Sequence, residues 1–418
     1  MLLEFSVKNF LSIKDEITLS MVATKDKSID YNLTKFNKDN LLKSAAIYGP
    51  NGSGKTNILH AIYYATRLII YSHNKQQGET FQIKPFILDK NYENEPSSFN
   101  LVFEINGIKY IYKFSLDKNK IHEETLWHYP PPYRRKRIIF SRDINASKVY
   151  NFPQDEKFQR EIEGHTLDNM LYLSRSANMK YAKTAVIVDW FLKNKESMFP
   201  ENFMLTDLRT KELLARDDDN KYKITDFISK ADKSIIGIEM EENDVGDNFL
   251  NENNFLKILP KEVIDKVVED ARRKVKTIHS GIDEKGNKIQ VRFELSEEAK
   301  GTRKMFRLSG SFIDALSNGQ LLVIDEIETS LHPNLVRCLI ETFNNPEYNK
   351  HGAQLIFTTH NTHLMHNTIM RRDQIWLTEK GDDQGTRLSS LCEFSIRPDE
   401  NIEKGYLLGR YGAIPNIG

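Results

Sequence analysis

Alternating apolar and polar positions predict β-strands in two parts of the first 120 residues. Positions 3–7 and 17–23 each alternate, and we expect these two half-buried strands to pair. The stretches 99–105 and 110–116 alternate in the same way, and they are joined by Asn106-Gly107, the strongest short-range hairpin signal. The pattern therefore predicts an antiparallel sheet in this part of the chain.

Apolar residues spaced three and four positions apart predict helices farther along. By this criterion residues 155–275 are mainly helical, with apolar stripes at 186–191 and 263–275. The second stripe ends in Arg272-Arg273-Lys274, and cations are favoured at the negative end of a helix dipole. The acidic, asparagine-rich stretch 241–254 between the stripes is predicted to be a mobile loop.

The last third of the chain mixes the two patterns. Positions 289–295 predict a strand, and positions 305–316 predict a helix that Asn318-Gly319 ends. Short apolar runs at 321–324 and 354–359 then flank a helical stretch from Leu335 to Phe343. Strand, helix and strand in this order are typical of parallel α/β units.

The clearest chemistry lies between an apolar strand at 44–48 and a helix with apolar positions from 58 to 69. There the chain matches Gly-x-x-x-x-Gly-Lys-Ser/Thr at every fixed position, so backbone N–H groups would surround phosphate oxygens. Lys55 would reach the β and γ phosphates, and the Thr56 hydroxyl would hold Mg²⁺. The flanking strand and helix argue against a chance match. The residues predicted to bind nucleotide are Gly49, Pro50, Asn51, Gly52, Ser53, Gly54, Lys55, Thr56 and Asn57.

The apolar run at 321–324 ends in Asp325-Glu326, the arrangement of a Walker B motif. Asp325 would hold Mg²⁺ through water, completing the charge neutralisation that Thr56 begins. Glu326 would orient or deprotonate the attacking water. Two solvated acids at a strand end are the alternative, which a phosphate loop in the same chain disfavours.

The strand at 354–359 leads to His360, which would bond the γ-phosphate and sense its presence. A histidine packed at a sheet edge is the alternative. His360, His363 and His366 recur every third residue, but steps of three drift around a helix, and no nearby Asp, Glu or Cys completes a metal site.

Composition narrows the class of protein. With 418 residues, two or three modules are expected, and 59 basic against 59 acidic residues argue against a strong nonspecific nucleic-acid binder. The two cysteines, Cys338 and Cys392, are interpreted as buried thiols in a reducing cytosol. No basic leader and no membrane-length apolar run occur, so a cytoplasmic location is expected. The basic run Arg134–Arg137 would contact nucleic-acid phosphates or, more simply, form a solvated loop.

The order of these motifs resembles that of ABC-type ATPase heads of the SMC and RecF kind. It is more similar to AAA-family ATPases of bacterial phage defence and abortive infection, the RloA and AbiL type. An opening like LEFSVKNFLSIKD, a phrase like ALSNGQLLVIDEIETSLHP and an ending like GRYGAIP recur in those proteins. The resemblance implies an α/β P-loop NTPase fold, an ABC-type head with an antiparallel β subdomain and an inserted helical lid.

The resemblance also assigns regions. Residues 1–150 would form the N-terminal part of the head with the phosphate loop and the β subdomain. Residues 151–285 would form the inserted, mainly helical lid, and residues 286–418 the C-terminal part of the head.

Further site roles follow from the same resemblance. Asp325 is the Mg²⁺ acid, Glu326 the catalytic base and His360 the switch histidine. Ser330–Pro333 matches the D-loop, and Gln82 would be the Q-loop glutamine near the metal. The signature region corresponds to residues 298–302, where Ala299 stands in place of the expected serine and Gly301 would offer a backbone N–H to the partner's γ-phosphate.

The function implied is that of a cytoplasmic ATPase that binds ATP and Mg²⁺ at the interface of a homodimer or higher homo-oligomer. It would act as sensor or motor of an anti-phage defence system and control a separate effector, such as a nuclease or toxin. A DNA-repair or DNA-binding ATPase of the SMC and RecF kind is the alternative. A transporter subunit lacks support in the sequence, and a GTPase is disfavoured because no Asn-Lys-x-Asp element occurs.

Overall fold

A computed structural model describes residues 1–415, apart from 27, 37–38, 133, 196, 199–205, 243–260 and 398–399. The chain divides into two compact units. The first unit contains Met1–Pro200, Gly319–Ile327 and Ile340–Gly418, and the second unit contains Glu201–Asn318 and Glu328–Leu339.

The strands and helices of the described residues are numbered in chain order. The strands are β1 (Leu2–Lys8), β2 (Ile17–Ser20), β3 (Leu33–Phe36), β4 (Asp39–Leu42), β5 (Ser44–Tyr48), β6 (Ser97–Ile105), β7 (Ile108–Leu116), β8 (Ile121–Tyr129), β9 (Arg137–Asp143), β10 (Tyr150–Asn151), β11 (Ile235–Glu242), β12 (Arg273–Ile282), β13 (Lys288–Glu294), β14 (Leu321–Ile324), β15 (Gln354–Thr358), β16 (Ile375–Lys380) and β17 (Thr386–Ser390). The helices are α1 (Lys55–Tyr71), α2 (Lys90–Glu93), α3 (Glu156–Gly164), α4 (Tyr172–Asn178), α5 (Ala182–Asn194), α6 (Thr206–Leu214), α7 (Asp218–Ser229), α8 (Lys261–Arg272), α9 (Lys300–Asn318), α10 (Pro333–Asn344) and α11 (Ile402–Leu407).

A seven-stranded antiparallel sheet forms one layer of the first unit, in the order β10-β9-β8-β7-β6-β1-β2. The predicted pairing of β1 with β2 is confirmed, with Phe5 opposite Leu19. The predicted β6–β7 hairpin is also confirmed: Asn106 and Gly107 both adopt positive φ, 52° and 79°, as a tight two-residue hairpin turn requires.

The second layer is a five-stranded sheet with the order β14-β15-β5-β16-β17. Its first four strands are parallel, and β17 is an antiparallel edge strand. Every residue of β5 is buried, as expected of a central parallel strand covered on both faces. Ile324 is paired with Phe357, and Thr358 with Ile47, so the carboxyl ends of β14, β15 and β5 lie side by side.

One apolar core joins these layers within the first unit. It includes buried residues from β1, β5, β6, α1 and α5, among them Phe5, Ile47, Ile62 and Ile187. Phe103 of the antiparallel sheet stacks on Trp190 of α5 with ring centroids 5.7 Å apart. Burial of each large apolar side chain contributes roughly 1.5–3 kcal/mol, so this core fixes the sheet from which the site is built.

The second unit combines helices with an antiparallel sheet of β11, β12 and β13. Our prediction of mainly helical structure over 155–275 is wrong for 235–242, which is strand β11, and for 273–275, the start of strand β12. The helical stripe ends at Arg272, and Lys274 pairs across the sheet with Glu241 rather than closing a helix. The predicted loop at 241–254 begins with the last residues of β11, and its residues from 243 onward lie outside the described residues.

Two further predictions concern single residues and membrane spans. Cys338 is half-buried and Cys392 is exposed, so the expectation of two buried thiols is wrong. The helices in the described part of the chain do not combine the length and apolar character that crossing a bilayer requires.

Candidate functional site

The phosphate loop leaves the buried strand β5 and enters α1 through three glycines with positive φ. Gly49, Gly52 and Gly54 have φ of 152°, 79° and 107°, which side chains other than glycine rarely adopt. A Cβ at Gly49 would lie 2.2 Å from Oγ1 of Thr378, and one at Gly54 would lie 2.1 Å from Oγ1 of Thr386. Glycine is therefore required at Gly49 and Gly54 both for conformation and for close packing.

Hydroxyl groups from distant parts of the chain support the loop from outside. Thr378 donates to the carbonyl of Tyr48 at 2.9 Å, and its Oγ1 lies 2.6 Å from Oγ of Ser53. Thr386 donates to the carbonyl of Ser53 at 2.8 Å. These threonines lie on β16 and β17, and the sequence analysis did not identify them. Their signal is weak because threonine is common and the contacts span more than 300 residues.

Asn57 belongs to the same supporting network. Its side-chain amide donates to Oγ of Ser12 at 2.6 Å, and Ser12 lies 2.8 Å from Oγ1 of Thr386. These hydrogen bonds connect the loop after β1, the first turn of α1 and strand β17. Ser12 was another residue that the motif search missed.

Charged groups also connect these segments. Nζ of Lys14 lies 3.0 Å from Asp89 and 3.2 Å from Asp383. The Gly385 N–H and the Lys14 ammonium lower the pKa of the Asp383 carboxyl. Burial lowers the pKa of Lys380, whose Nζ is 3.4 Å from Oγ1 of Thr386. The turn between β16 and β17 is therefore held against the loop that contains Ser12.

Lys55 is buried at the start of α1, with 7% of its surface exposed. Its Nζ donates to the carbonyl oxygens of Gly49 at 2.8 Å and Pro50 at 3.1 Å. The ammonium group therefore lies against the loop whose N–H groups would surround phosphate. A buried ammonium favours an anionic partner, which supports its predicted role toward the β and γ phosphates.

Thr56 and Asp325 meet directly in the first unit. Oγ1 of Thr56 donates to Oδ2 of Asp325 at 2.9 Å. Hydroxyl and carboxylate oxygens are the hard ligands that Mg²⁺ prefers. A hydroxyl and a carboxylate at this spacing fit Mg²⁺, whether each binds directly or through retained water.

Thr358, at the end of β15, organises the acidic pair. Its hydroxyl donates to Oδ1 of Asp325 and accepts the N–H of Glu326, the latter at 2.7 Å. Glu326 turns away from the strand with a φ of 46° and is exposed. Asp325 is therefore held by two hydroxyls, whereas the side chain of Glu326 is exposed to solvent.

The remaining predicted site residues lie in three places. His360 is exposed two residues beyond the end of β15. Gln82 is exposed in the irregular segment between α1 and β6, and it takes no part in the hydrogen bond between Thr56 and Asp325. Gly301 belongs to the second unit, in the first turn of α9, where an added Cβ would lie 3.0 Å from the carbonyl oxygen of Ser330.

The arrangement supports phosphoryl transfer to water. A glycine-lined loop, a buried ammonium group, a hydroxyl–carboxylate pair and an exposed acid lie at the carboxyl edge of one parallel sheet. In such enzymes positioning and charge stabilisation supply most of the catalysis.

A family model matches most of the chain. Residues 44–366 match a family model described as "AAA domain, putative AbiEii toxin, Type IV TA system". None of the curated proteins matches the chain.

Solved structures of SMC heads are similar at low identity. The SMC head domain from Thermotoga maritima is 14% identical and has a TM-score of 0.40. The alignment covers 94% of the chain described here and 99% of that head domain. An SmcHead bound to the C-winged helix domain of ScpA is 12% identical, with coverages of 93% and 97% and a TM-score of 0.42. An Smc head domain with an extended coiled coil, bound to the C-terminal domain of ScpA and derived from Pyrococcus furiosus, is 13% identical, with coverages of 94% and 97% and a TM-score of 0.43.

Proposed function

The chain belongs to the AAA-domain family whose model matches more than half of its residues, and on that premise we propose that it hydrolyses ATP with Mg²⁺ at a homo-oligomer interface. The reaction is ATP + water → ADP + phosphate. In the proposed biological role, the cytoplasmic ATPase is the sensor or motor of an anti-phage defence system and controls a separate effector.

The hydrogen bond between Thr56 and Asp325 is the observation that carries the catalytic part of this proposal. It joins the end of the phosphate loop to the acid that follows β14 at 2.9 Å. These two side chains would hold Mg²⁺, which when bound neutralises charge on the β and γ phosphates. Lys55, on the same loop, would contact the same phosphates.

The remaining residues act on the attacking water and the transferred group. Glu326 accepts a proton from water as the water oxygen bonds to the γ-phosphorus. The bond from the γ-phosphorus to the bridging oxygen breaks, and that electron pair leaves with ADP. His360 donates a hydrogen bond to the γ-phosphate and so distinguishes ATP from ADP.

A second copy of the chain would complete the site through the signature-like segment. Ala299, which precedes α9, and Lys300, its first residue, are exposed, and Gly301 lies in the first turn of the helix. The N–H groups of this helix start would reach the γ-phosphate of the partner subunit. Because Ala299 offers no hydroxyl, ATP-driven closure would rest on these backbone groups and on the neighbouring Thr302.

The defence role rests on resemblance rather than on the geometry of the site. The opening, the acidic-pair phrase and the ending of the chain resemble those of phage-defence ATPases. The description of the matching family names a putative toxin of a toxin–antitoxin system. The proposed partner is accordingly an effector with nuclease or toxin activity, controlled by ATP-dependent closure of the oligomer.

Lys55→Ala tests the site assignment. The wild-type protein should bind ATP and release phosphate in a magnesium-dependent manner, and the variant should lose ATP binding. Lys233→Ala, which removes an exposed lysine in the second unit, is the matched control and should leave ATP affinity unchanged. Undiminished ATP affinity in the Lys55 variant would refute the assignment.

A nucleic-acid-coupled ATPase is the second candidate function. The side chains of Arg134, Arg135, Lys136 and Arg137 are all exposed, and among the described residues none of them forms an ion pair. Nζ of Lys136 lies 4.3 Å from the ring centroid of Trp127. If this function is correct, single- or double-stranded DNA stimulates ATP turnover, and changing all four residues to Gln abolishes the stimulation. Equal turnover with and without DNA would eliminate this candidate.

A further inference from the structure

The segment that carries His360 is contacted by helix α11, near the end of the described chain. Oγ1 of Thr362 donates to Oε1 of Glu403 at 2.8 Å. The same carboxylate oxygen lies 3.2 Å from Nδ1 of His363. One glutamate of α11 therefore holds two consecutive residues that follow closely after the switch histidine.

Aromatic side chains join the same helix to the phosphate loop. The Tyr48 hydroxyl donates to the carbonyl oxygen of Asn361 at 3.1 Å, and Tyr48 directly precedes Gly49 of the loop. The ring of Tyr406 packs edge-on against the Tyr48 ring, with centroids 6.0 Å apart. The Tyr406 hydroxyl donates to Ala413 at 2.9 Å, which orients this ring.

The backbone on both sides of His360 is thus fixed, although the side chain of His360 itself is exposed. Before it, the N–H of Thr359 donates to Ile47 of β5 at 3.1 Å. After it, Asn361 is held by Tyr48, and the next two residues are held by Glu403. A shift of the His360 backbone toward a phosphate would therefore move Asn361 and strain the contacts with α11.

Asn361 also carries a buried donor that this conformation leaves unused. Its Oδ1 accepts the N–H of His363 at 3.2 Å, but Nδ2 is buried and has no hydrogen-bond partner among the described residues. Buried donors are normally paired with protein groups or water, so the hydrogen bonding of this segment is incomplete at Asn361.

We propose that Glu403 and Tyr406 of α11 are positioning residues that set the place of His360, so that α11 responds to the nucleotide at the phosphate loop. This inference rests on the proposed ATPase function and deepens it. Coupling between two sites is reciprocal, so whatever displaces α11 also changes how His360 meets the γ-phosphate. The helix thereby becomes a regulatory element of the ATPase.

Glu403→Ala is the test, because Glu400 provides a closely matched control. Each glutamate accepts from one hydroxyl and pairs with one basic group, Thr362 and His363 for Glu403, and Tyr411 and Arg410 for Glu400. Their side chains are similarly exposed, at 27% and 20%.

Glu403→Ala should lower kcat for ATP about tenfold with KM changed less than about twofold, the mark of an interaction that acts in the transition state. Glu400→Ala should change neither constant, and Glu403→Gln, which keeps an acceptor for Thr362, should restore most of kcat.

Amide hydrogen exchange gives a readout that does not depend on turnover. Without nucleotide, Glu403→Ala should speed exchange in 359–364, whereas Glu400→Ala should not. If the wild-type protein fails to hydrolyse ATP, the proposed function falls, and this exchange comparison still decides the positioning role. Equal kinetic losses in the two alanine variants, or unchanged exchange in 359–364 for Glu403→Ala, would overturn the inference.

Discussion

Oγ1 of Thr56 lies 2.9 Å from Oδ2 of Asp325, although 269 positions separate the two residues in the chain. The contact places the last residue of the phosphate loop motif against the first acid of the Walker B pair. It is a direct consequence of the parallel pairing of β14 with β15 and of β15 with β5. The sheet therefore brings together the two side chains that we propose hold Mg²⁺.

Thr56→Ala should weaken magnesium-dependent ATP binding by about tenfold or more, because a hydroxyl that holds the metal is lost. Thr66→Ala is the control, since Thr66 lies on the same helix and its hydroxyl donates to Sδ of Met198 at 3.4 Å. Titration of ATP affinity against Mg²⁺, with EDTA as the metal-free reference, is the measurement. Similar magnesium dependence in the two variants would contradict the metal role of Thr56.

Glu326→Gln should bind ATP normally and hydrolyse it about 10²- to 10⁴-fold more slowly, the range lost with a general base. Because the γ-phosphate then persists, ATP should drive the variant into a dimer or larger assembly that ADP does not support. Phosphate release and light scattering with each nucleotide measure the two effects. Wild-type turnover in this variant would remove Glu326 from the mechanism.

The two glycines Gly52 and Gly54 should differ in their tolerance of alanine. A Cβ at Gly52 meets nothing within 4 Å, so Gly52→Ala bears only backbone strain, roughly 1 kcal/mol at its φ of 79°. At Gly54 the Cβ also collides with Thr386, and we expect a loss of roughly 2–4 kcal/mol. Denaturant unfolding followed by tryptophan fluorescence reports on the first unit, which contains Trp127, Trp190 and Trp376. Equal destabilisation by the two substitutions would contradict this account of the loop.

Lys43, which precedes β5, should make the stability of the first unit depend on pH. It is buried, its Nζ donates to the carbonyls of Tyr31 and Asn344, and burial lowers its pKa to about 8. Below pH 8 the lysine is charged in both the folded and the unfolded chain, and the cost of burying the ammonium is fully present. Between about pH 8 and 10.5 the unfolded chain holds the proton more tightly, so the free energy of unfolding rises with pH.

The measurement compares wild type with Lys43→Met in urea at pH 7.5 and pH 10. The wild type should gain roughly 2 kcal/mol relative to the variant over this range. Lys233→Met, at an exposed position, should follow the wild type. Parallel pH profiles for wild type and Lys43→Met would show that burial does not alter the titration of Lys43. The comparison uses only the difference in unfolding free energy between wild type and variant. The contributions of titrating tyrosines and of Cys392 are the same in both proteins and therefore cancel.

The elements that sequence patterns predicted correctly are those whose signal is local. The β6–β7 hairpin depends on Asn106-Gly107 and its flanking alternation, and the phosphate loop depends on eight consecutive residues. The acidic pair is recognisable because a buried strand ends directly before it. In each case the residues that determine the structure are neighbours in the chain.

The helix prediction was wrong where a helical pattern of apolar residues continued directly into a strand. The stripe from Val263 continued through Val275 without a break, although the chain changes from helix to strand between Arg272 and Arg273. Pairing with β11, more than 30 residues earlier, and with β13 makes β12 a strand. Tertiary contact decides β-structure more often than local preference does.

The supporting residues of the site were missed for a related reason. Thr358, Thr378, Thr386 and Ser12 act through single hydroxyls, and each is distant in sequence from at least one of its partners. For Thr358 a usable signal existed, because it lies at the carboxyl end of a parallel strand, where the functional side chains of such sheets gather. The roles assigned to the site residues remain predictions, those of Gln82 and Gly301 included.

The position of β5 between β15 and β16 has a consequence for synthesis of the protein on the ribosome. The strand that leads into the phosphate loop is complete at Tyr48, yet its two neighbours begin only at Gln354 and Ile375. At ~5–20 residues per second, elongation from one to the other takes about 15 to 60 s. Throughout that interval both edges of β5 lack the strands that pair with them in the folded chain.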